Sequence, residues 1–336
     1  MIREYLKLAR SFNAVLTGIS PVMGAIAMGQ YDIGMLLILF LIGFFGHSFG
    51  FVFNDIIDYN IDKTSKEISD RPLISGTISL RNAWIFAFLC MFLAFFIAFL
   101  IAYQTSIYYP LLILAISASF IAIYDLISKK LPFMDILVAI GIFFFILYGA
   151  STQVNNLSEL TFLTWIVCIL GSIQVLFMQI VAGGLKDIEN DYHSGAKTAA
   201  VRLGARVVDK KLHVPFAFQL LAFGIQLVDI LLVFSPFIIV NDFSSNQYIR
   251  FFQWMLLIII SGLMLLLSYR LMNMDVFDRK KARTLIGSHY MINFALVPIM
   301  LMAVNPWAGI LVFFPALGFV LSNIILHGTL LQPKTM

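Results

Sequence analysis

Ten stretches of mostly apolar residues divide this chain almost end to end, each about the 20 residues that a helix needs to cross ~30 Å of hydrocarbon. They fall near 13–31, 33–54, 82–103, 107–127, 132–151, 161–185, 213–240, 249–272, 285–304 and 307–327. Inside lipid every backbone polar group must find its partner within the chain, so runs of this length point to an all-α polytopic bundle. A transmembrane β-barrel would show alternating segments of ~10 residues instead. Charged residues make up 12% of the 336, about half the usual share in soluble domains. That composition excludes a soluble multidomain enzyme, a disordered chain and a secreted disulfide scaffold. Cys90 and Cys168 each lie in an apolar run, which implies neither a disulfide framework nor a thiolate metal site. The last two stretches are separated only by Asn305 and Pro306, so the expected bundle has nine or ten helices.

Charge orients the bundle. Threading ten crossings places every Lys and Arg except Arg250, out of 22, on one side. Positive residues collect on the cytoplasmic side of membrane proteins, so that face is read as cytoplasmic and the plasma membrane as the location. The same placement explains the basic pI near 9.0 without nucleic acid. Arg3, Lys7 and Arg10 precede the first apolar run, and no small-residue cleavage pattern follows, so that run reads as a retained helix rather than a signal peptide.

The second stretch leads into Asn54-Asp55-Ile56-Ile57-Asp58-Tyr59-Asn60-Ile61-Asp62. At about 100° per residue, with Asn54 at zero, Asp58, Asp62 and Asp55 fall near 40°, 80° and 100°, on one helix face. The sixth stretch ends in Lys186-Asp187-Ile188-Glu189-Asn190-Asp191, with Asp187 and Asp191 four apart. Four crossings separate the two stretches, so both deliver their acids to the cytoplasmic face. The chain reads as a single domain over 1–336, built from parallel four-helix repeats of about 1–130 and 131–272 plus C-terminal helices over 285–327. Clustered carboxylates repel one another unless cations sit between them. Oxygen-only donors suit Mg2+, which keeps one or two carboxylates and completes its shell with water and substrate phosphates. A diphosphate could approach such a cluster through the metal, helped by Arg71, Lys129, Lys130 and Lys186 as anion donors.

The acidic run after the second stretch, the segment Asp70-Arg71-Pro72-Leu73-Ile74-Ser75-Gly76-Thr77-Ile78-Ser79, and the Asp187/Asp191 pair followed by Gly195-Ala196-Lys197-Thr198 and Val201-Arg202-Leu203-Gly204 resemble the UbiA superfamily of intramembrane prenyltransferases. The resemblance covers nearly the whole chain. It implies nine transmembrane helices around a central cavity and Mg2+-dependent transfer of an isoprenyl chain, from a diphosphate such as geranylgeranyl diphosphate, to an aromatic or lipid acceptor. Two departures stand out: the family's Tyr-xxx-Lys element appears as Tyr124 with Lys129, one residue too long, and 307–327 exceeds nine helices.

In the mechanism so implied, Asn54, Asp58, Asp62, Asp187 and Asp191 hold Mg2+ against the leaving diphosphate, with Arg71 and Lys129 as donors. Tyr124 belongs to the same catalytic element. Asp58 and Asp55 are the nearest candidates for the base that takes the acceptor's proton. Arg10 and Asn13 could reach the acceptor, and their spacing resembles members that prenylate glyceryl phosphate ether lipids; an interfacial anchor and a helix-end amide are the plainer reading. His47, two turns deeper than Asn54, could line the cavity or be a hydrogen-bonded core residue. Asp229 lies well inside the seventh stretch, where a carboxylate is costly, and the sequence assigns it no role. Two other classes stay open: a cation-coupled transporter, and a membrane diphosphate-processing enzyme without a prenyl acceptor.

Overall fold

In the computed structural model, which describes residues 1–63, 69–128, 131–240, 243 and 246–330, ten main helices follow the ten apolar stretches. A short interfacial helix α1 (Ile2–Leu8) leads into α2 (Ser11–Ala27) and α3 (Ile33–Ile57), which continues after Asp58 as α4 (Tyr59–Asp62). Then come α5 (Leu80–Thr105), α6 (Tyr109–Ile127), α7 (Asp135–Ser151) and α8 (Phe162–Phe177). A π-helical segment, Met178–Gly183, joins α8 to α9 (Gly184–Lys186), followed by α10 (Ile188–Ser194) and α11 (Ala199–Arg202). A hairpin of β1 (Arg206–Val208) and β2 (Lys211–His213) precedes α12 (Phe216–Ile239), α13 (Gln247–Met272) and α14 (Arg279–Leu301). A 3-10 turn, Pro306–Val312, runs into α15 (Phe313–His327).

Eight of these helical stretches are long and apolar enough to cross a membrane, while α2 and α7 are shorter, at 17 residues each. Side-chain caps start several of them: Asp32 accepts from the Met35 amide at 2.7 Å for α3, and Asp278 from the Lys280 amide at 2.8 Å for α14. Such caps satisfy amides that the helix itself leaves bare.

Size, not polarity, decides which face turns inward. On α5 the buried residues are Ala83, Ala87, Cys90, Ala94, Ala98, Ile101 and Ala102, all but one of them small, whereas Phe88, Phe92, Phe96 and Phe99 are exposed. A soluble helix would bury the rings; a lipid-facing one packs its small residues against neighbours so that backbones approach closely. The same rule is sharpest between α2 and α7. A Cβ on Gly149 would collide with the Pro21 carbonyl, and one on Gly24 with the Ile146 carbonyl. Gly43 approaches Gly18 of α2 in like manner, with a Cβ only 2.6 Å from its Cα.

Contacts at the two ends agree with an even number of crossings between the N-terminus and the end of α15. Arg3 Nη2 donates to the Leu326 carbonyl at 3.0 Å. At the other end Tyr31 donates to the Val304 carbonyl at 2.9 Å, and Gln30 Nε2 donates to Gln153 Oε1 at 2.6 Å. The first of these ends carries both acidic motifs.

Candidate active site

Helical hydrogen bonding runs through the first acidic motif: the Asp58 amide donates to the Asn54 carbonyl at 2.9 Å and the Asp62 amide to the Asp58 carbonyl at 2.9 Å. The shared face expected for the motif is therefore real, and Asp55, Asp58 and Asp62 are all buried. Two arginines meet them. Arg10 Nη2 donates to Asp55 Oδ1 at 2.6 Å, and Arg71 Nη1 lies 2.7 Å from Asp62 Oδ2 and 3.5 Å from Asp55 Oδ1. In the second motif Asp187 sits at the junction of α9 and α10. The Asp191 amide donates to its carbonyl at 2.9 Å, which keeps the two acids one turn apart. Lys186 Nζ lies 3.2 Å from Asp187 Oδ2, and Arg279 Nη2 donates to Oδ1 at 2.5 Å.

Electrostatics tie the motifs together. Burial pulls the Arg10 guanidinium down in pKa, but Asp55, Asp62 and Asp187 outweigh it and leave the group above its ordinary value. Arg71 ends below its ordinary value, because burial and repulsion from Arg10 exceed the attraction of the same three carboxylates. Both arginines thus feel Asp187 as well as the first motif.

Arg10 is held from behind. Its backbone is left-handed, with φ 47° and ψ 49°, a conformation costly for a residue with a Cβ. The His47 Nε2 lies 3.3 Å from the Arg10 carbonyl, and Thr17 Oγ1 lies 2.8 Å from His47 Nδ1. A carbonyl only accepts, so Nε2 carries the proton and Nδ1 accepts from Thr17. Both ring nitrogens are spent on the protein, which makes His47 a buried support for Arg10 rather than a cavity group. The guanidinium lies 5.0 Å from the centroid of the Phe51 ring.

Asn54 donates through Nδ2 to Asp125 Oδ1 on α6 at 3.0 Å, leaving its own oxygen directed elsewhere. Asp125 and Arg279 are the participants that sequence reasoning missed. A lone carboxylate near the inner end of an otherwise apolar stretch was the available signal for Asp125; Arg279, 92 residues from Asp187, offered none. Asn13 is half-buried with its Oδ1 unpartnered, and Tyr124 is half-buried beside Asp125. Lys129 and Lys130, expected as diphosphate donors, lie outside the described residues.

Does this set of residues suit Mg2+? Among the described residues no three or more His, Cys, Asp and Glu side chains gather closely enough to hold a metal by themselves. Mg2+ does not require that, because water and phosphate supply most of its shell. The donors are all hard oxygens from two opposed motifs, and this chemistry fits. Among the described residues the Nε atoms of Arg10 and Arg71 are buried without a hydrogen-bond partner, as is that of Arg250 away from the acidic motifs. Buried N–H groups rarely remain so unless a ligand or water completes them.

The fold and motifs have counterparts. A digeranylgeranylglyceryl phosphate synthase of Methanococcus aeolicus is 38% identical over 93 residues, 27% of this chain and only 33% of that protein. One from Saccharolobus solfataricus is 26% identical over 257 residues, 71% of this chain and 86% of its own length. A UbiA homolog from Archaeoglobus fulgidus, solved bound to GPP and Mg2+, superposes with a TM-score of 0.61 at 16% identity, covering 90% of this chain and 99% of its own. Residues 14–271, most of the chain and both acidic motifs, match the UbiA prenyltransferase family, and the chain belongs to that family.

Proposed function

We propose that this protein transfers an isoprenyl chain from a polyprenyl diphosphate, such as geranylgeranyl diphosphate, to a glyceryl phosphate ether lipid, with Mg2+ required and the site on the cytoplasmic face of the plasma membrane. The observation that carries this reading is the pair of half-buried arginines, Arg10 and Arg71, held on Asp55 and Asp62 beside an acidic motif at one end of an apolar bundle. A ligand that is diphosphate at one end and hydrocarbon at the other suits that juxtaposition.

Asn54, Asp58, Asp62, Asp187 and Asp191 are the residues that would hold Mg2+, which when bound supplies positive charge against the departing diphosphate. Arg10 and Arg71 add hydrogen-bond donors where negative charge develops, and Asp55 keeps both aimed. Lys129 and Lys130 would add further positive charge, and Tyr124 would border the reacting end. Asp58, or failing it Asp55, would take the acceptor's proton. The surrounding apolar helices exclude water that would otherwise quench the allylic cation. The halves would be parallel repeats that each contribute one acidic motif.

Two observations favour a lipid acceptor over an aromatic one. The curated relatives above are named digeranylgeranylglyceryl phosphate synthases, and the Asn13 amide donates to the Arg10 carbonyl at 2.9 Å, which keeps both residues beside the first acidic motif. The test is incubation of purified protein with radiolabelled geranylgeranyl diphosphate, Mg2+, and either geranylgeranylglyceryl phosphate or an aromatic acid. Label is expected in the ether lipid only. Transfer to the aromatic acid alone would replace this acceptor, and release of prenyl alcohol with neither would identify an enzyme that processes diphosphates without an acceptor.

A further inference from the structure

The end of the bundle that carries the acidic motifs also carries a basic surface that the site does not use. In the β1–β2 hairpin, Val207 and Leu212 pack inward on a core that includes Leu185 and Ile188, while Arg206, Val208 and Lys211 are exposed on the outer side. Asp209 and Lys210 turn the chain with φ 49° and 61°, the left-handed backbone of a tight two-residue hairpin turn. That turn is tied down: the Phe277 amide donates to the Lys210 carbonyl at 2.7 Å. Phe277 belongs to the short connection 273–278 between α13 and α14.

The tie sets the height of both loops. Helix α13 stays apolar up to Met272, and the apolar run of α14 begins near 285, so the connection between these spanning helices stays at the membrane surface. At ~1.5 Å per residue, the polar start of α14 lifts it by roughly 9 Å, the scale of the headgroup layer. Tyr269, exposed beside Arg270, fits the same level, where rings with a polar end collect. Arg206, Lys210, Lys211, Arg270, Lys280 and Lys281 are all exposed, and among the described residues none of them forms an ion pair. Beside them stand exposed valines, Val208 at 43% and Val276 at 59%. The positive-inside tendency accounts for cations on this side but not for apolar side chains bared among them. Water suits the cations alone, and so does an acidic protein. Anionic phospholipid suits both, its phosphates meeting the cations and its glycerol border the valines.

We propose that the β1–β2 turn and the α13–α14 connection together form a docking surface for anionic phospholipid headgroups of the leaflet at the acidic end. Strand β1 also packs against α10, which carries Asp191, so lipid held here would steady the second motif from outside. No step of prenyl transfer is needed for the surface to exist.

The test therefore reads lipid contact, not turnover. Full-length protein carrying Val208→Cys would be labelled there with an environment-sensitive fluorophore, Cys90 and Cys168 being buried. It would then be placed in nanodiscs of phosphatidylcholine with increasing shares of phosphatidylglycerol. A blue shift of emission that grows with phosphatidylglycerol and reverses in high salt is expected, since salt screens exposed charge. Adding Lys210→Gln and Lys211→Gln is expected to remove most of the shift, each cation near an anionic surface contributing a roughly fivefold preference. Arg81→Gln, an exposed position at the start of α5, is expected to leave it unchanged. No shift, the same shift in pure phosphatidylcholine, or a shift that survives both hairpin substitutions would overturn the surface. A response to polyglutamate without one to phosphatidylglycerol would mark a protein-docking face and overturn the lipid assignment.

Discussion

Among single residues, Asp55 shows how this site balances its charges. It accepts from Arg10 and lies within reach of Arg71, so the guanidiniums proposed to meet a diphosphate are pre-aimed by a carboxylate not needed as a metal ligand. Asp58 and Asp187, by contrast, are assigned to the metal. Replacing either by Ala is expected to lower turnover at least ~100-fold, the scale of losing preorganised stabilisation of developing charge. EDTA should abolish activity and added Mg2+ restore it; full activity in either variant would remove these residues from the site. In the proposed site Asp125 would act one step back, through the Asn54 amide that donates to it. Carboxylates that orient a metal ligand typically account for ~10- to 100-fold in affinity, so Asp125→Ala should raise the Mg2+ concentration for half-maximal activity with less effect on the saturated rate. The acidic motifs were legible in the sequence because carboxylates at helical spacing stand out where so little else is charged. The Arg10–Asp55 pair was not, since nothing in local spacing says that residues 45 apart meet. His47 was legible as a residue of interest but not as Arg10's support, which depends on the fold of two helices.

Elements matter here through how closely they approach. The order and rough extent of the ten main helices could be read from apolar run length, because lipid imposes that length on any spanning helix, though α14 starts at Arg279, six residues before its apolar run. Which glycines are indispensable could not, since that depends on the partner facing each one. Gly149 and Gly224 are both helical, yet a Cβ at 149 meets the Pro21 backbone whereas one at 224 meets nothing within 4 Å. Backbone cannot swing aside as a side chain can, so Gly149→Ala should destabilise by about 1–3 kcal/mol, the usual range for overpacking. Gly224→Ala should be neutral or stabilising by up to ~1 kcal/mol, from helix propensity alone. Thermal unfolding of both variants in one detergent checks the contrast, and equal midpoints would contradict the tight α2–α7 contact. The π-helical stretch Met178–Gly183 was equally illegible. Such wide turns are common at functional positions, and this one reaims the end of α8 just before Lys186 and Asp187.

For the whole molecule, the decisive feature is that both acidic motifs and the arginines paired with them lie at one end, above a bundle of mostly apolar helices. Topology can be checked directly: the native Cys90 and Cys168 are buried, so a cysteine placed at the exposed position 208 should be labelled only from the cytoplasmic side and one at 156 only from outside. The same polarity dictates how ligands of different length should bind. If a diphosphate sits on the acidic end while its tail enters the bundle, affinity must grow with tail length, because each buried CH2 contributes roughly 0.8 kcal/mol before ordering costs are subtracted. Dimethylallyl, geranyl and geranylgeranyl diphosphates should then displace a labelled prenyl diphosphate with rising strength when Mg2+ is present, and free diphosphate only weakly. Asp191→Ala should weaken all three, since the head group anchors every tail at one place. A cation transporter would be indifferent to the tail, and a surface phosphate site would bind all four ligands alike. Equal affinity across the series would mean that the acidic end works without a prenyl groove, and isoprenyl transfer would have to be given up as the function.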